Sequence, residues 1–210
     1  MTTSESTKLD DIRDIYAEHA DQMARLDWFN RLLTGRYRRS FFGRARGRVL
    51  DVACGVGTNL EYLPDDIEYV GVDLSPDMLA KAAERYERLE RDENLFEMDA
   101  QALDFADDSF DTVISALSSC TFPDPHAALA EMGRVCRPDG RILLVEHGES
   151  SFGPLARFQR WRAEAHFEKH ACRWTQEPLE LVEEAGLRVC DHVRGFLGVF
   201  TAIEARVTEA

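Results

Sequence analysis

The chain has 210 residues, 44% of them hydrophobic, and a formal net charge of −14. That length is enough for one α/β domain with a sizeable core, and no apolar run approaches the roughly 20 residues that cross a bilayer. The acid excess is spread along the chain and repels phosphate backbones, which argues against nucleic acid as a partner. Lys8, Lys81 and Lys169 are the only lysines; an acid-rich, lysine-poor surface suits a high-salt cytoplasm, where screening relieves self-repulsion. The start MTTSESTKLDD reads as a frayed polar end rather than a signal or transit peptide. Cys54, Cys120, Cys136, Cys172 and Cys190 form no Cys-x-x-Cys pair and read as reduced thiols. The expected location is cytoplasmic.

Residues 8–34 place Leu9, Ile12, Ile15, Tyr16, Met23, Leu26, Phe29, Leu32 and Leu33 at helical spacings. Gly35 is expected to end that helix, leaving RYRRSFFGRARGR as a basic, aromatic connector. Arg48 to Val52 then reads as a buried strand, with Asp51 at its end, followed by the turn Ala53-Cys54-Gly55-Val56-Gly57 and the start of a helix. Two glycines spaced one apart permit positive φ and close approach of a ligand, and a helix N-terminus would aim N–H groups at it.

Glu68–Asp73 is a second strand; Ser75 caps the next helix, with Pro76 at its first position. Leu95, Phe96 and Met98 mark a third strand ending at Asp99, and Phe110 to Ser118 a fourth. A helix from about Pro125 to Cys136, a turn at Arg137–Gly140 and the strand RILLVEH follow. This alternation predicts a doubly wound parallel sheet. Phe152 to His170 and Glu177 to Ala185 read as helices, the second closed by Gly186. Leu187–Val193 and Val199–Val207 read as strands with no helix between them, so they should pair antiparallel. The expected organisation is one domain: a helical extension (1–46), a ligand-binding core (47–148), and a substrate-side helix with a hairpin (149–210).

Asp51, Asp73 and Asp99 fall at the ends of successive strands, which converge on one crevice in such a sheet. An acid after the second strand can accept both ribose hydroxyls; one after the third, beside Ala100, can receive the amino group of adenine. A dinucleotide fingerprint would need a third small residue where Leu60 stands. Three acids beside a glycine turn suit a cationic ligand better than a pyrophosphate.

VLDVACGVGTNL, VGVDLSPDML, MDAQALDFADDSFDTVISA and EMGRVCRPDGRILLVEHG, in that order, resemble the class I S-adenosylmethionine-dependent methyltransferases. The resemblance is close over residues 48–147 and implies a Rossmann-like seven-stranded fold with S-adenosylmethionine as cofactor and S-adenosylhomocysteine as product. It implies that Gly55 and Gly57 approach the amino acid part of the cofactor, in a turn that also holds Asn59, and that Asp51 bonds the amino group directly or through water. Asp73 would hold the ribose, Leu74 and Met78 would flank the adenine, Asp99 and Ala100 would meet its amino group, and Ser115 would begin the stretch beside the methionine moiety. Ala53 stands where the family has its first glycine.

SALSSCTFPDPHAALAEMGRVCRPDG, Glu146-His147 and CRWTQEPLELVEEAGL are similar to the small-molecule branch, which includes quinone C-methyltransferases, phosphatidylethanolamine N-methyltransferases and thiol methyltransferases. Ser118-Ser119-Cys120 stands where enzymes of DNA and glutamine carry an Asn-Pro-Pro-Tyr-like motif. The acceptor expected is small and apolar: a lipid amine, a quinol or a thiol. His147 is the candidate base if the nucleophile must lose a proton, against a role closing the strand end. Cys120 is expected in the pocket wall, Tyr16 as a cover over the cofactor and Trp161 in the substrate-side wall. Arg157, Arg160 and Arg162 around Trp161 suggest the alternative of transient contact with an anionic membrane surface. His166 and His170 near Cys172 have a zinc-like spacing, but the sequence shows no complete ligand set, and the expectation is no metal. A non-catalytic cofactor-binding protein and a nicotinamide-dependent oxidoreductase are the alternative functions; the oligomeric state is left open.

Overall fold

In a computed structural model describing residues 2–91 and 94–208, seven strands form one sheet in the order β3-β2-β1-β4-β5-β7-β6. These are β1 (Arg48–Val52), β2 (Glu68–Asp73), β3 (Leu95–Glu97), β4 (Phe110–Ala116), β5 (Cys136–His147), β6 (Leu187–Gly195) and β7 (Phe200–Val207). Strands β1 to β5 run parallel, while β7 is antiparallel to both β5 and β6. The chain builds outward from β1 to β3, then returns to lay β4 against β1's free edge. That reversal opens a crevice at the carboxyl ends of β1 and β4.

Helices α2 (Pro76–Arg88) and α3 (Pro125–Val135) make the crossovers, and α4 (Gly153–His170) and α5 (Pro178–Glu184) join β5 to β6. The Ser75 hydroxyl caps α2 by accepting from the Met78 N–H, and the Asp124 carboxylate caps α3 by accepting from the His126 and Ala127 N–H groups. Each cap precedes a proline at the first position, where no N–H is needed. Strands β1, β2, β4, β5 and β7 are buried on both faces, so neighbouring residues fill different cores. Leu50, Val52, Val113 and Leu144 pack toward α3 and α5, whereas Val49, Ile114, Leu143 and Val145 pack with Tyr37, Phe41 and Phe42.

Two elements differ from the sequence expectation. The first helix, α1, runs unbroken from Thr2 to Phe42, through the supposed frayed end, through Gly35 and through the supposed connector. Gly35 does not break it because the helix passes over Tyr62 there, and a Cβ would sit 3.0 Å from that hydroxyl. The burial of Tyr37, Arg38, Phe41 and Phe42 outweighs the glycine's weak propensity. After β1, only the short 3-10 stretch Thr58–Tyr62 forms in place of an α-helix, so the turn after β1 opens no long helix whose dipole would serve it. Smaller shifts separate the rest: β3 ends at Glu97, leaving Asp99 in the following loop, and Arg137, Pro138 and Asp139 bulge outward within β5 instead of preceding it.

Gly57 is in the left-handed region (φ 76°), and a Cβ there would lie 2.7 Å from the Tyr86 ring and 3.2 Å from Ala82 Cα. Gly57→Ala is therefore expected to cost about 2–3 kcal/mol, from backbone strain and overpacking together. Urea denaturation would read this, and an unchanged midpoint would refute the packing role.

Candidate functional site

A cleft enclosing about 1040 Å³ of empty space, partly open to solvent, lies over the carboxyl ends of β1, β2 and β4. Its floor is the turn after β1. Gly55 has φ 57°, and a Cβ built on it would meet nothing within 4 Å, so the open space reaches the main chain itself. Ala53 (φ 54°) and Leu117 (φ 58°) flank the floor as non-glycine residues in the left-handed region, which carries backbone strain.

Asp73, the last residue of β2, organises this floor. Its Oδ2 accepts from the Gly55 N–H at 2.8 Å and its Oδ1 from the Ser75 N–H at 2.9 Å. Burial raises its pKa, opposed by the N–H groups of Ser75, Gly55 and Leu74. Leu74, Ser75, Met78, Met98 and Ala100 line one end of the cleft with Asp99, whose carboxylate accepts from the main-chain and side-chain N–H groups of Gln101.

The roof is α1, which contributes Leu9, Ile12, Arg13, Tyr16, Met23, Asp27, Asn30 and Arg38. Tyr16 lines the cleft with Thr121; burial first, then the nearby Cys120 and Cys172 sulfurs, pushes its hydroxyl pKa upward, so it keeps its proton. Arg38, only 2% exposed, donates to the Asn59 Oδ1 and to the Thr34 hydroxyl. Asn59 in turn donates to both oxygens of Asp51, at 2.9 and 3.1 Å.

Ala53, Gly55, Asn59, Asp73, Leu74, Met78, Asp99, Ala100 and Tyr16 thus stand together in the cleft, as the sequence suggested. Asp51, Gly57 and Ser115 do not. Asp51 is inside β1 and fully buried, facing Asn59 and the Tyr69 hydroxyl; burial raises its pKa to about 7 against the pull of Asn59, Tyr69 and Arg38. Gly57 serves the packing on α2 described above. The Ser115 hydroxyl donates to the Val52 carbonyl at 2.7 Å and so ties β4 to β1.

The expected substrate-side residues are placed elsewhere too. Trp161 is 74% exposed on the outer face of α4 and does not line the cleft. Cys120 and His147 lie outside the cleft lining, turned toward Cys172: its sulfur is 3.4 Å from the Cys120 sulfur and 3.4 Å from His147 Nε2. Hydrogen bonding with Cys120 lowers the Cys172 pKa. Burial alone would lower the pKa of His147, but Cys172 and then Glu146 raise it on balance. No histidine lines the cleft among the described residues.

Residues 50–144 match a family model described as a methyltransferase domain. The phosphatidylethanolamine N-methyltransferase of Cereibacter sphaeroides is 40% identical over 124 residues, covering 58% of this chain and 60% of that protein. The demethylmenaquinone methyltransferase of Thermus thermophilus is 36% identical over 152 residues, covering 65% of this chain and 69% of the relative. This chain belongs to the S-adenosylmethionine-dependent methyltransferases. The fold agrees: a methyltransferase solved in complex with the Haloferax volcanii Trm112 methyltransferase activator superposes with a TM-score of 0.69 over 92% of this chain and 98% of that one, at 20% identity. The methyltransferase core accounts for the cleft floor. What the sequence reading missed is the roof of this methyltransferase. Asp27 lay in the predicted helix without being singled out, and Arg38 fell in the end of α1 that was taken for a connector, although Tyr37 with Phe41 and Arg38 with Phe42 already show the four-residue spacing.

Proposed function

We propose that this methyltransferase binds S-adenosylmethionine in the cleft under α1 and transfers its methyl group to a small, apolar acceptor. The reading rests above all on Gly55, where the cleft meets bare main chain beside the Asp73 carboxylate. Asp73 would take the ribose hydroxyls, Leu74 and Met78 the faces of the adenine, and Asp99 with Ala100 its amino group. Gly55 and Ala53 would border the amino acid part. Arg38, held by Asn59, offers the cation that its carboxylate needs. Asp51 supports this end through Asn59 instead of touching the ligand.

When bound, the cofactor supplies a methyl on an already activated sulfonium. The protein's part is alignment and exclusion of water. Tyr16, which keeps its proton, closes the roof as a hydrogen-bond donor and does not act as a base. Leu9, Ile12, Met23, Leu117 and Phe122 give the remaining lining an apolar character that suits the tail or ring of the acceptor. With no histidine in the lining, an acceptor that attacks as a neutral amine is favoured over a quinol or thiol that must first lose a proton.

No helix of the described residues is long and apolar enough to cross a membrane. The exposed Phe158 and Trp161 on α4, beside Arg157, Arg160 and Arg162, would nonetheless suit transient contact with a lipid surface carrying such an acceptor. We take the 210 residues to act as one domain. Calorimetry should give tight binding of S-adenosylmethionine and S-adenosylhomocysteine and none of NAD; binding of NAD alone would overturn the proposal. Methyl release to aminophospholipid vesicles, quinols and alkyl thiols then ranks the acceptors. Cofactor binding without turnover on any of them would favour a non-catalytic binding protein.

A further inference from the structure

Cys120 follows β4, His147 ends β5 and Cys172 follows α4, yet their sulfur and nitrogen atoms all lie within 4.8 Å of one another. In a tetrahedral zinc site with Zn–S of about 2.3 Å and Zn–N of about 2.0–2.1 Å, the ligand atoms stand about 3.5–3.8 Å apart. The two measured edges, both 3.4 Å, are already close to that spacing. We propose that Cys120, His147 and Cys172 form a three-ligand binding site for a borderline-soft divalent cation of the zinc class.

Near the end of α4, His166 stacks flat on Trp174 with ring centroids 4.0 Å apart. The Trp174 indole N–H is held by the Gln159 carbonyl, which fixes that stack. Ala171, left-handed at φ 51°, turns the chain at the end of α4 so that Cys172 comes back to β5. The Arg173 N–H donates to the Cys120 carbonyl at 2.9 Å and locks the two cysteine segments together.

Two thiols and an imidazole form a donor set that suits zinc and not magnesium or calcium. Coordination would release the two thiol protons to solvent and leave a neutral centre, two thiolates balancing the dication. The site lies outside the cleft and does not rest on the function proposed for it. Because Thr121 next to Cys120 lines the cleft, the metal would stiffen that wall.

The test is anaerobic titration of the reduced, full-length protein with Co²⁺, followed by displacement with Zn²⁺. One equivalent should bind with the strong visible bands of tetrahedral cobalt and a near-ultraviolet thiolate-to-cobalt transition, and Zn²⁺ should abolish both and raise the thermal midpoint. Cys120→Ser and Cys172→Ser should each weaken both binding and the thiolate transition, and His147→Ala should weaken binding tenfold or more. Cys190→Ser, at an exposed cysteine, serves as the control and should bind as the wild type does. Circular dichroism establishes that each variant is folded. Only octahedral cobalt in the folded wild type, equal binding by a folded Cys120→Ser or Cys172→Ser variant, or recovery of the two sulfurs as a disulfide that never takes up metal under reductant would overturn the site. Unchanged affinity in His147→Ala would remove His147 from it.

Discussion

Replacing Asp73 with Ala is expected to weaken S-adenosylmethionine binding by about 2–4 kcal/mol, roughly thirty-fold or more in Kd. Two losses combine. The variant gives up the acceptors proposed for the ribose hydroxyls, and it also releases the Gly55 and Ser75 N–H groups that the carboxylate now holds. The turn that lets the ligand reach bare backbone is thus shaped by the same side chain that would grip the sugar. Asp73→Asn keeps one carbonyl acceptor and should fall between the wild type and the alanine variant. Calorimetry reads the affinities, and urea denaturation separates the part that belongs to folding. Affinity unchanged in Asp73→Ala would remove this residue from the site.

Asp73 was legible because three independent signals agreed on it: a β-rich run, an acid at its end, and Ser75-Pro76 opening a helix just after. Asp51 offered a similar run but a different meaning. Alternation in β1 puts it on the face of Val49, toward the α1 side, while Leu50 and Val52 face α3. An acid one residue short of the strand end therefore points into the sheet's packing and not into the crevice. The second glycine of the turn shows the same limit. Gly55 and Gly57 both adopt positive φ, but only the structure distinguishes open space at the first from Tyr86 at the second.

Residues distant in sequence were less legible still. Cys120 and Cys172 are 52 residues apart, so no spacing rule links them. Their meeting depends on β4 and β5 being neighbours and on the turn at Ala171. The sequence carried one member of that cluster, Cys172 near His166 and His170, but not the strand ends that complete it. Trp161 failed for the opposite reason. A large aromatic on a helix suggests burial, yet α4 buries only Ala156 and Gln159 among its residues and leaves its aromatic side chains facing outward.

Arg38→Met should destabilise the protein by about 3–5 kcal/mol near neutral pH, because it leaves the buried Asp51 carboxylate without its cation. Asp51 is fully buried, and its pKa of about 7 already reflects burial only partly offset by Asn59, Tyr69 and Arg38. A folded pKa above the unfolded value means that the native state holds the proton more tightly. That contribution to stability is full below about pH 4 and is lost as the pH rises toward 7. Without Arg38 the folded pKa rises further, so the loss should continue beyond pH 7, where the wild-type curve has levelled. In Arg38→Met/Asp51→Asn no charge remains to be buried, and stability should recover at neutral pH and lose this dependence. Urea midpoints measured across pH 4–9 provide the test, and parallel profiles for the wild type and Arg38→Met would show that the two groups do not interact. The double variant also divides structure from function. If Arg38 meets the cofactor carboxylate, affinity for S-adenosylmethionine stays low after the fold has been restored; if Arg38 only neutralises Asp51, affinity returns with stability.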